Sequence, residues 1–570
     1  MSGFFKKRLV FILFLILLLL HIFYNRSFYT PNVIPDEVIV LAHARYFATG
    51  INFYFIEHSF GTFGYGLLLS PLFLIFSNAI LIYKIALLFN AILASALVFL
   101  FYYLLRNIFS ADKKIAALIS FAACLYPSLF MYASTATSES LFAFIMTLSF
   151  VLFWRVLKNE SYINFIFFSI FFGSLYAIHL RALPLVFVVV VILIILAILK
   201  RFAWPKTIFS LLIILGLFTM SYIYNGYILA KAWTDPNVYS ILDVLVRIFS
   251  WSEIRYIFSK FFGQVLYLCI ASFGIFPLAF FYVVKNILRG FKKDKKKFLT
   301  NNFYIFFSLF LFLSLTIFGV SVLFFSASSG RADIVIYGRH NDPFLLLWIL
   351  FGLWAIYKEF FRLRNYIFVL VMLASIAIIL HFLAADFLRG HSLLFNIPGL
   401  FAWIITFGGV KIIKITSLSI LVIIILWRFF SNRFIYGLLM LMFFYLLMNY
   451  MYYSYNIAVR TNLFEQYNNL AFLVINEKID SLNYDMTRRT CVGDKIFTTM
   501  DSYTYSRNFD RWQFLLLKSR LIPFDSSNNE LPNQKYVIAS LCWPQAEELK
   551  AKQIAVDQNN SQALWEIASN

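Results

Sequence analysis

Asp36 and Glu37 stand side by side in NVIPDEVIVLAHARYF, residues 32–47, a few positions past the first apolar segment of the chain. Three other stretches set ionisable side chains against apolar runs: Glu139 in STATSESLFAF, Arg181 in GSLYAIHLRALPLVFV, and Arg331, Arg339 and His340 in RADIVIYGRHNDPFLLL. Two arginine sites and an acidic pair suit one task. Guanidinium forks hold a phosphate, while a carboxylate takes the proton of an acceptor. His58 and Glu57, in YFIEHSFGTFGYG, are weaker candidates, and Gly61, Gly64 and Gly66 beside them indicate a tight loop and nothing more. The chain contains no phosphate-binding loop, HExxH or GxSxG motif.

Each of these residues also has a plainer reading. Pro35-Asp36-Glu37 resembles the first turn of a helix, with proline at the first position and acids beside the positive end of the helix dipole, an arrangement worth ~0.3–1 kcal/mol. Val38, Leu41, Ala42 and Tyr46 would then share one face, as in a helix lying in the membrane interface. Glu139 reads as a helix start capped by Ser138. Arg181 reads as an anchor whose stem snorkels to the interface.

The elements that must position these side chains are membrane spans. Of the 570 residues, 62% are hydrophobic, 20% aromatic and 13% charged, and apolar runs long enough to cross the ~30 Å hydrocarbon core recur along the chain. This composition excludes an ordinary soluble domain. The net charge of +21 is not a nucleic-acid footprint. Its densest cluster, KNILRGFKKDKKK at 285–297, lies between apolar segments as a cytoplasmic loop does, where it can also meet anionic lipid. MSGFFKKRLVFILFLILLLLHIFY lacks a small-residue cleavage site and reads as an uncleaved first span. Counting basic residues places the N-terminus in the cytoplasm. The stretches 25–80, 132–140, 179–184, 226–262, 326–343 and 385–399 then fall outside. All the candidates above share that face, and arginines there run against the positive-inside bias. The segment GLFAWIITFGGVKIIK either spans or lies in the interface. Taken as interfacial, it gives about 13 transmembrane helices and an outside C-terminus.

From residue 456 the composition turns polar. CVGDKIFTT, LIPFD and KYVIASLCW read as strands, with the amphipathic SYTYSRNFDRWQFLLLKSRL between the first two, so 456–570 is expected to form a small extracytoplasmic α/β domain after a 1–455 transmembrane domain. Cys124 and Cys269 fall in spans as packing residues. Cys491 and Cys542 fall on two of these strands and are a candidate disulfide, provided the domain is outside.

Four stretches resemble the GT-C class of integral-membrane glycosyltransferases, in the branch related to protein O-mannosyltransferases (family 39) and the lipid A aminoarabinose transferases. PDE is like the first-loop acidic motif of that class. ATSESLFAF resembles the SE-L-F start of a later span. SLYAIHLRALPLV resembles a G-L-A-x-L-T-R-P stretch, with Leu180-Arg181-Ala182 where Thr-Arg-Pro is usual, and YGRHNDPFLLL is similar to an R-Y/H-x-x-P stretch before a late span. A soluble domain after the spans is also usual there. The resemblance implies a polyprenyl-phosphate sugar donor and a lipid, glycan or protein acceptor, joined by inverting displacement on the periplasmic or lumenal face, here of a bacterial inner membrane. It implies Asp36 as base with Glu37 sharing or orienting the acceptor. Arg339 and Arg181, with Arg331 and His340 near them, would bind the donor phosphate, and Glu139, with His58 as a further secondary candidate, would shape the acceptor side. Some members take a divalent metal and others none. The acids here assemble no metal site on spacing, so no metal or cofactor is expected. A lipid-linked-sugar flippase would also use arginines but should show internal repeats and midplane charges. A polysaccharide polymerase or ligase would not require the first-loop acidic pair, and a non-catalytic scaffold would not depend on Asp36.

Overall fold

A computed structural model describes residues 2–29, 31, 36–50, 62–232, 250–293, 300–324, 331–358, 363–389, 392–476, 481–485, 489–492, 495–498, 520–524, 532, 534–540, 543, 545–557 and 562–567. Among them, nine helices are long and apolar enough to cross a membrane, or ten if one bent pair forms a single span. The chain is an integral membrane protein. A count of 13 would also need shorter apolar helices, such as Tyr162–Ile178, Ala182–Ile198 and Asp342–Tyr357. The segment 401–407 is a seven-residue helix, Phe401–Phe407, closed by Gly408 at φ +62°. At 1.5 Å per residue it is about 10 Å long, far too short to cross.

Two helices form the centre. Glu139–Lys158 buries 78% of its span against protein, whereas Trp204–Tyr227 buries 22% and lies at the rim. Asp342–Tyr357 buries every side chain from Asp342 to Ile356. Both central helices begin at the same end of the bundle, where Glu139 and the residues before Asp342 meet.

A break beside them matters for the site. Lys113–Cys124 and Pro127–Ala133 meet at 61°. Pro127 has no N–H to continue the first helix and instead starts the second. The freed Leu125 carbonyl accepts from Asn449 Nδ2 at 3.0 Å, so the irregular backbone is satisfied inside protein.

The acidic pair does begin a helix, Asp36–Thr49, but that helix does not lie with one face in the interface. Every residue from Glu37 to Arg45 is buried, because the helix is covered on all sides, with Phe63–Ile75 packed closely along it. A Cβ on Gly66 would come within 2.6 Å of His43 Cβ, so glycine permits that approach. Cys124 and Cys269 are buried free thiols.

Helix Phe434–Asn476 runs past residue 456 into the polar region. The strands that follow are β1 (Ser481–Asp485), β2 (Arg489–Val492), β3 (Lys495–Thr498), β4 (Arg520–Phe524), β5 (Tyr536–Ser540), β6 (Lys552–Asp557) and β7 (Gln562–Glu566). Five form a sheet in the order β4-β1-β5-β7-β6, with β1 parallel to both neighbours and the β5-β7-β6 edge antiparallel. CVGDKIFTT is not one strand. It contributes to the antiparallel pair β2-β3. Of the amphipathic stretch 502–521, only Arg520 and Leu521 fall within the described residues, both in β4. Cys491 is in β2, and Cys542 lies outside the described residues.

Candidate active site

Arg339 is the hub of a cluster drawn from three distant segments. Its guanidinium pairs with Asp36, the first residue of its helix, and with Glu139 Oε1 at 2.5 Å. Phe395 lies under it, 4.5 Å from guanidinium carbon to ring centroid. Its N–H donates to the Asn396 carbonyl at 3.1 Å, and its own carbonyl accepts from Arg181 Nη1 at 3.0 Å. Asp36 keeps a third of its side chain accessible, while Glu139 is fully buried. Burial opposes the Arg339 charge, but Asp36 and Glu139 outweigh it and raise its pKa well above the ordinary arginine value.

Arg181 is the second cation. It is 4% exposed and lies 4.1 Å over the Phe142 ring. Burial lowers its pKa, against the pull of Glu139. Its Nε and Nη2 are buried with no hydrogen-bond partner among the described residues, and neither has Glu139 Oε2. Unmet charged donors at such depth are costly unless a ligand completes them. Both arginines also stand at helix N-termini: Arg181 is the N-cap of Ala182–Ile198, and Arg339 precedes Asp342–Tyr357 by three residues. Positive helix ends repel cations and favour anions, so the dipoles alone do not account for guanidiniums there.

Asp36, Thr62, Glu139, His179 and Arg339 are among the residues lining a cavity of about 40 Å³. That holds roughly one water and is too small for a phosphate while Arg339 keeps its present contacts. His179 Nδ1 accepts the Arg181 N–H at 3.3 Å, which leaves Nε2 to carry the proton, 3.7 Å from Glu139 Oε1. Burial, then Arg181, pulls the His179 pKa down to about 4, so the ring is neutral at pH 7.

The other sequence candidates fall at different distances from this centre. Glu37 is wholly buried, and its Oε1 accepts from Tyr83 Oη and the Ala136 N–H, both at 2.7 Å. It ties helix Asp36–Thr49 to the turn before Glu139. Asn90 pins the same turn, donating to the Thr135 carbonyl at 2.7 Å and the Thr137 carbonyl at 3.1 Å. Ser138 takes the N-cap position of Glu139–Lys158 without a side-chain cap bond. His340 is packed against the Tyr337 ring at 4.7 Å and faces His179 at 6.4 Å, and burial drives its pKa well below the usual value. Arg331 pairs with Asp333 at 2.6 Å and is not among the residues lining the cavity. His58 lies outside the described residues. Among the described residues, no three His, Cys, Asp or Glu side chains are grouped to hold a metal ion.

Two residues are not singled out by the sequence. His179 sits inside the HLRALP stretch, where nothing but its neighbour Arg181 hints at it. Asp342, directly before Pro343, reads as an ordinary helix-start acid, yet it is fully buried and accepts hydrogen bonds from Tyr126, Ser128, Tyr132 and Tyr267.

Among solved structures, the chain is similar to ArnT from Cupriavidus metallidurans bound to undecaprenyl phosphate, with a TM-score of 0.54 and 14% identity over 98% of each chain. It is similar to the apo state of the same protein, with a TM-score of 0.53 and 12% identity over 97% of each chain. ArnT is a GT-C glycosyltransferase, a lipid A aminoarabinose transferase. This chain therefore has the fold of ArnT along nearly its full length. No protein-family model and no curated protein matches the sequence.

Proposed function

We propose that this protein is a glycosyltransferase that moves a sugar from a polyprenyl-phosphate donor to an acceptor on the extracytoplasmic face of a bacterial inner membrane. The observation that carries the reading is the meeting of Asp36, Glu139 and Arg339 beside a buried Arg181 with two donors unmet among the described residues, in a chain with the fold of ArnT. ArnT has been captured with undecaprenyl phosphate, which supports a polyprenyl phosphate as the anion for these arginines. The finer reading counts 13 spans, takes the residues after 456 as an α/β domain on the same face, and leaves the acceptor as a lipid, glycan or protein.

The donor phosphate takes over Arg339 and the open Nε–H and Nη2–H of Arg181. Asp36, released from Arg339, accepts the proton of the acceptor hydroxyl or amine as that atom attacks the anomeric carbon. The bond from this carbon to the phosphate oxygen breaks, and its electrons leave on the polyprenyl phosphate, which two guanidiniums stabilise. Glu37 holds the helix that carries Asp36, and Glu139 keeps Arg339 ionised and aimed. One displacement inverts the anomeric configuration. The charge on the leaving phosphate is met by arginines, with no metal in the scheme.

The test uses the purified full chain in bilayers, with a polyprenyl-phosphate sugar and a panel of lipid, glycan and peptide acceptors. Acceptor-dependent release of polyprenyl phosphate with anomeric inversion is expected. Movement of intact donor across the bilayer without release would instead identify a flippase, and retained configuration would remove the single-displacement scheme.

A further inference from the structure

Asp342 does not line the cavity, and the scheme above does not use it. A buried carboxylate is costly unless hydrogen-bonded. This one is fully satisfied: Oδ1 accepts from Tyr126 at 3.1 Å and Tyr267 at 2.8 Å, and Oδ2 accepts from Ser128 at 2.7 Å and Tyr132 at 2.8 Å. All five residues are buried to within 1%. An apolar side chain would fill the same place without that desolvation. What the complete cage adds is a single fixed geometry.

That geometry joins the two segments that deliver Arg339 and Glu139. Tyr126, Ser128 and Tyr132 belong to the bend at Pro127, from which the chain runs directly to the turn holding Ala136 and Glu139. Tyr267 belongs to helix Trp251–Ala271. Its hydroxyl also accepts the Gly399 N–H at 3.0 Å, and its ring lies so close to Gly338 that a Cβ there would stand 1.9 Å from Cζ. Gly338 and Arg339 both donate their N–H to the Asn396 carbonyl, at 2.9 and 3.1 Å. Tyr132 Oη lies 3.5 Å from the Arg339 carbonyl. The loop that presents Arg339 is therefore held on both sides by groups that converge on Asp342.

We propose that Asp342 is the positioning residue for Arg339: its hydroxyl cage locks the Gly338-Arg339 loop against the Pro127 bend and so fixes the guanidinium for the donor phosphate. The inference rests on the reading of Arg339 as a phosphate ligand. It predicts that Asp342 affects phosphate binding only through Arg339, which a double-mutant cycle detects.

The measurement is binding of undecaprenyl phosphate to the purified full chain, for wild type, Asp342→Asn, Arg339→Ala and the double variant, with thermal stability recorded alongside. Asp342→Asn is expected to weaken binding about tenfold in the wild-type background and less than twofold in Arg339→Ala. Where Asp342→Asn does not fold, Tyr126→Phe, which removes one cage hydroxyl, is expected to weaken binding about threefold with the same non-additivity. Equal losses in both backgrounds, or a folded Asp342→Asn protein that binds as wild type does, would overturn the inference alone. Unchanged binding in Arg339→Ala would overturn the phosphate reading and the inference with it.

Discussion

Helices Glu139–Lys158 and Ala182–Ile198 each carry an arginine cluster at both ends, and the two ends are built differently. At the Lys158 end, Arg201 follows Ala182–Ile198 and donates to the Leu157 carbonyl at 2.8 Å, Asn302 Oδ1 at 2.8 Å and Glu160 Oε1 at 2.5 Å, while Lys206 takes the Glu160 carbonyl at 2.5 Å. A cation at a helix C-terminus, bonded to one of its last carbonyls, is what the helix dipole favours. That cluster is held by protein partners, with Arg201 Nε alone among its guanidinium nitrogens lacking one among the described residues. At the Glu139 end, Arg181 and Arg339 stand at N-termini, where the dipole opposes them, and two carboxylates compete for the one guanidinium of Arg339. Arg339 lines the small cavity there, and Arg181 beside it keeps two donors unmet among the described residues, the features on which the proposed phosphate-binding role rests. The difference separates arginines that close a helix from the arginines proposed to take an anion.

The sharpest way to break this comparison is to remove one arginine from each end. Arg339→Ala is expected to weaken polyprenyl-phosphate binding by roughly 10²-fold or more, with Arg339→Lys restoring only part of it, because a point charge replaces a two-pronged fork. Arg201→Ala should leave binding within twofold and lower thermal stability by ~1–3 kcal/mol through its lost carbonyl and carboxylate partners. Equal effects on binding from both ends would erase the distinction.

Within the Glu139 end, Glu37→Gln separates a residue that holds the helix from one that does the chemistry. The amide keeps the shape but weakens the bonds from Tyr83 and the Ala136 N–H, and the turn before Glu139 loosens. A loss of ~1–3 kcal/mol in stability is expected, with a smaller fall in transfer than a missing base would cause. Abolished transfer at unchanged stability would move the base role from Asp36 to Glu37.

The smallest effect concerns pH. In the folded chain His179 has a pKa of about 4, below its ordinary value of 6.5, because burial and Arg181 disfavour the imidazolium. Its contribution to stability is full above pH 6.5 and is lost as pH falls through about 4. The melting temperature of wild type should therefore decline more steeply between pH 6.5 and 4.5 than that of His179→Gln. Parallel curves would mean that His179 is not held neutral.

Much of the site is legible in the sequence, for a specific reason. Membrane topology sorts residues by face, so basic-residue counting assigns Asp36, Glu139, Arg181 and Arg339 to one side. Arginines on the side that disfavours them then stand out. Their meeting in space is not legible, since it depends on helices far apart in sequence. Asp342 is hidden because an acid before proline at a helix start is ordinary, and its four hydroxyl partners, on Tyr126, Ser128, Tyr132 and Tyr267, lie far from it in the chain. The bend at Pro127 is hidden because hydrophobicity runs unbroken through it. The all-round burial of Glu37 to Arg45 escapes the pattern because the same spacing suits an interface as well as a roof between helices. In the polar C-terminal region, the expected strand CVGDKIFTT falls on two strands, β2 and β3, which alternation alone does not separate.

Asp36 is the proposed base, and its amide variant separates binding from chemistry. In the purified full chain, Asp36→Asn should bind polyprenyl phosphate at least as tightly as wild type, since Arg339 loses a competitor, while transfer falls by about 10²–10⁴. Transfer near the wild-type rate with intact donor binding would contradict the assignment of Asp36 as the base and, with it, the chemistry proposed for the site.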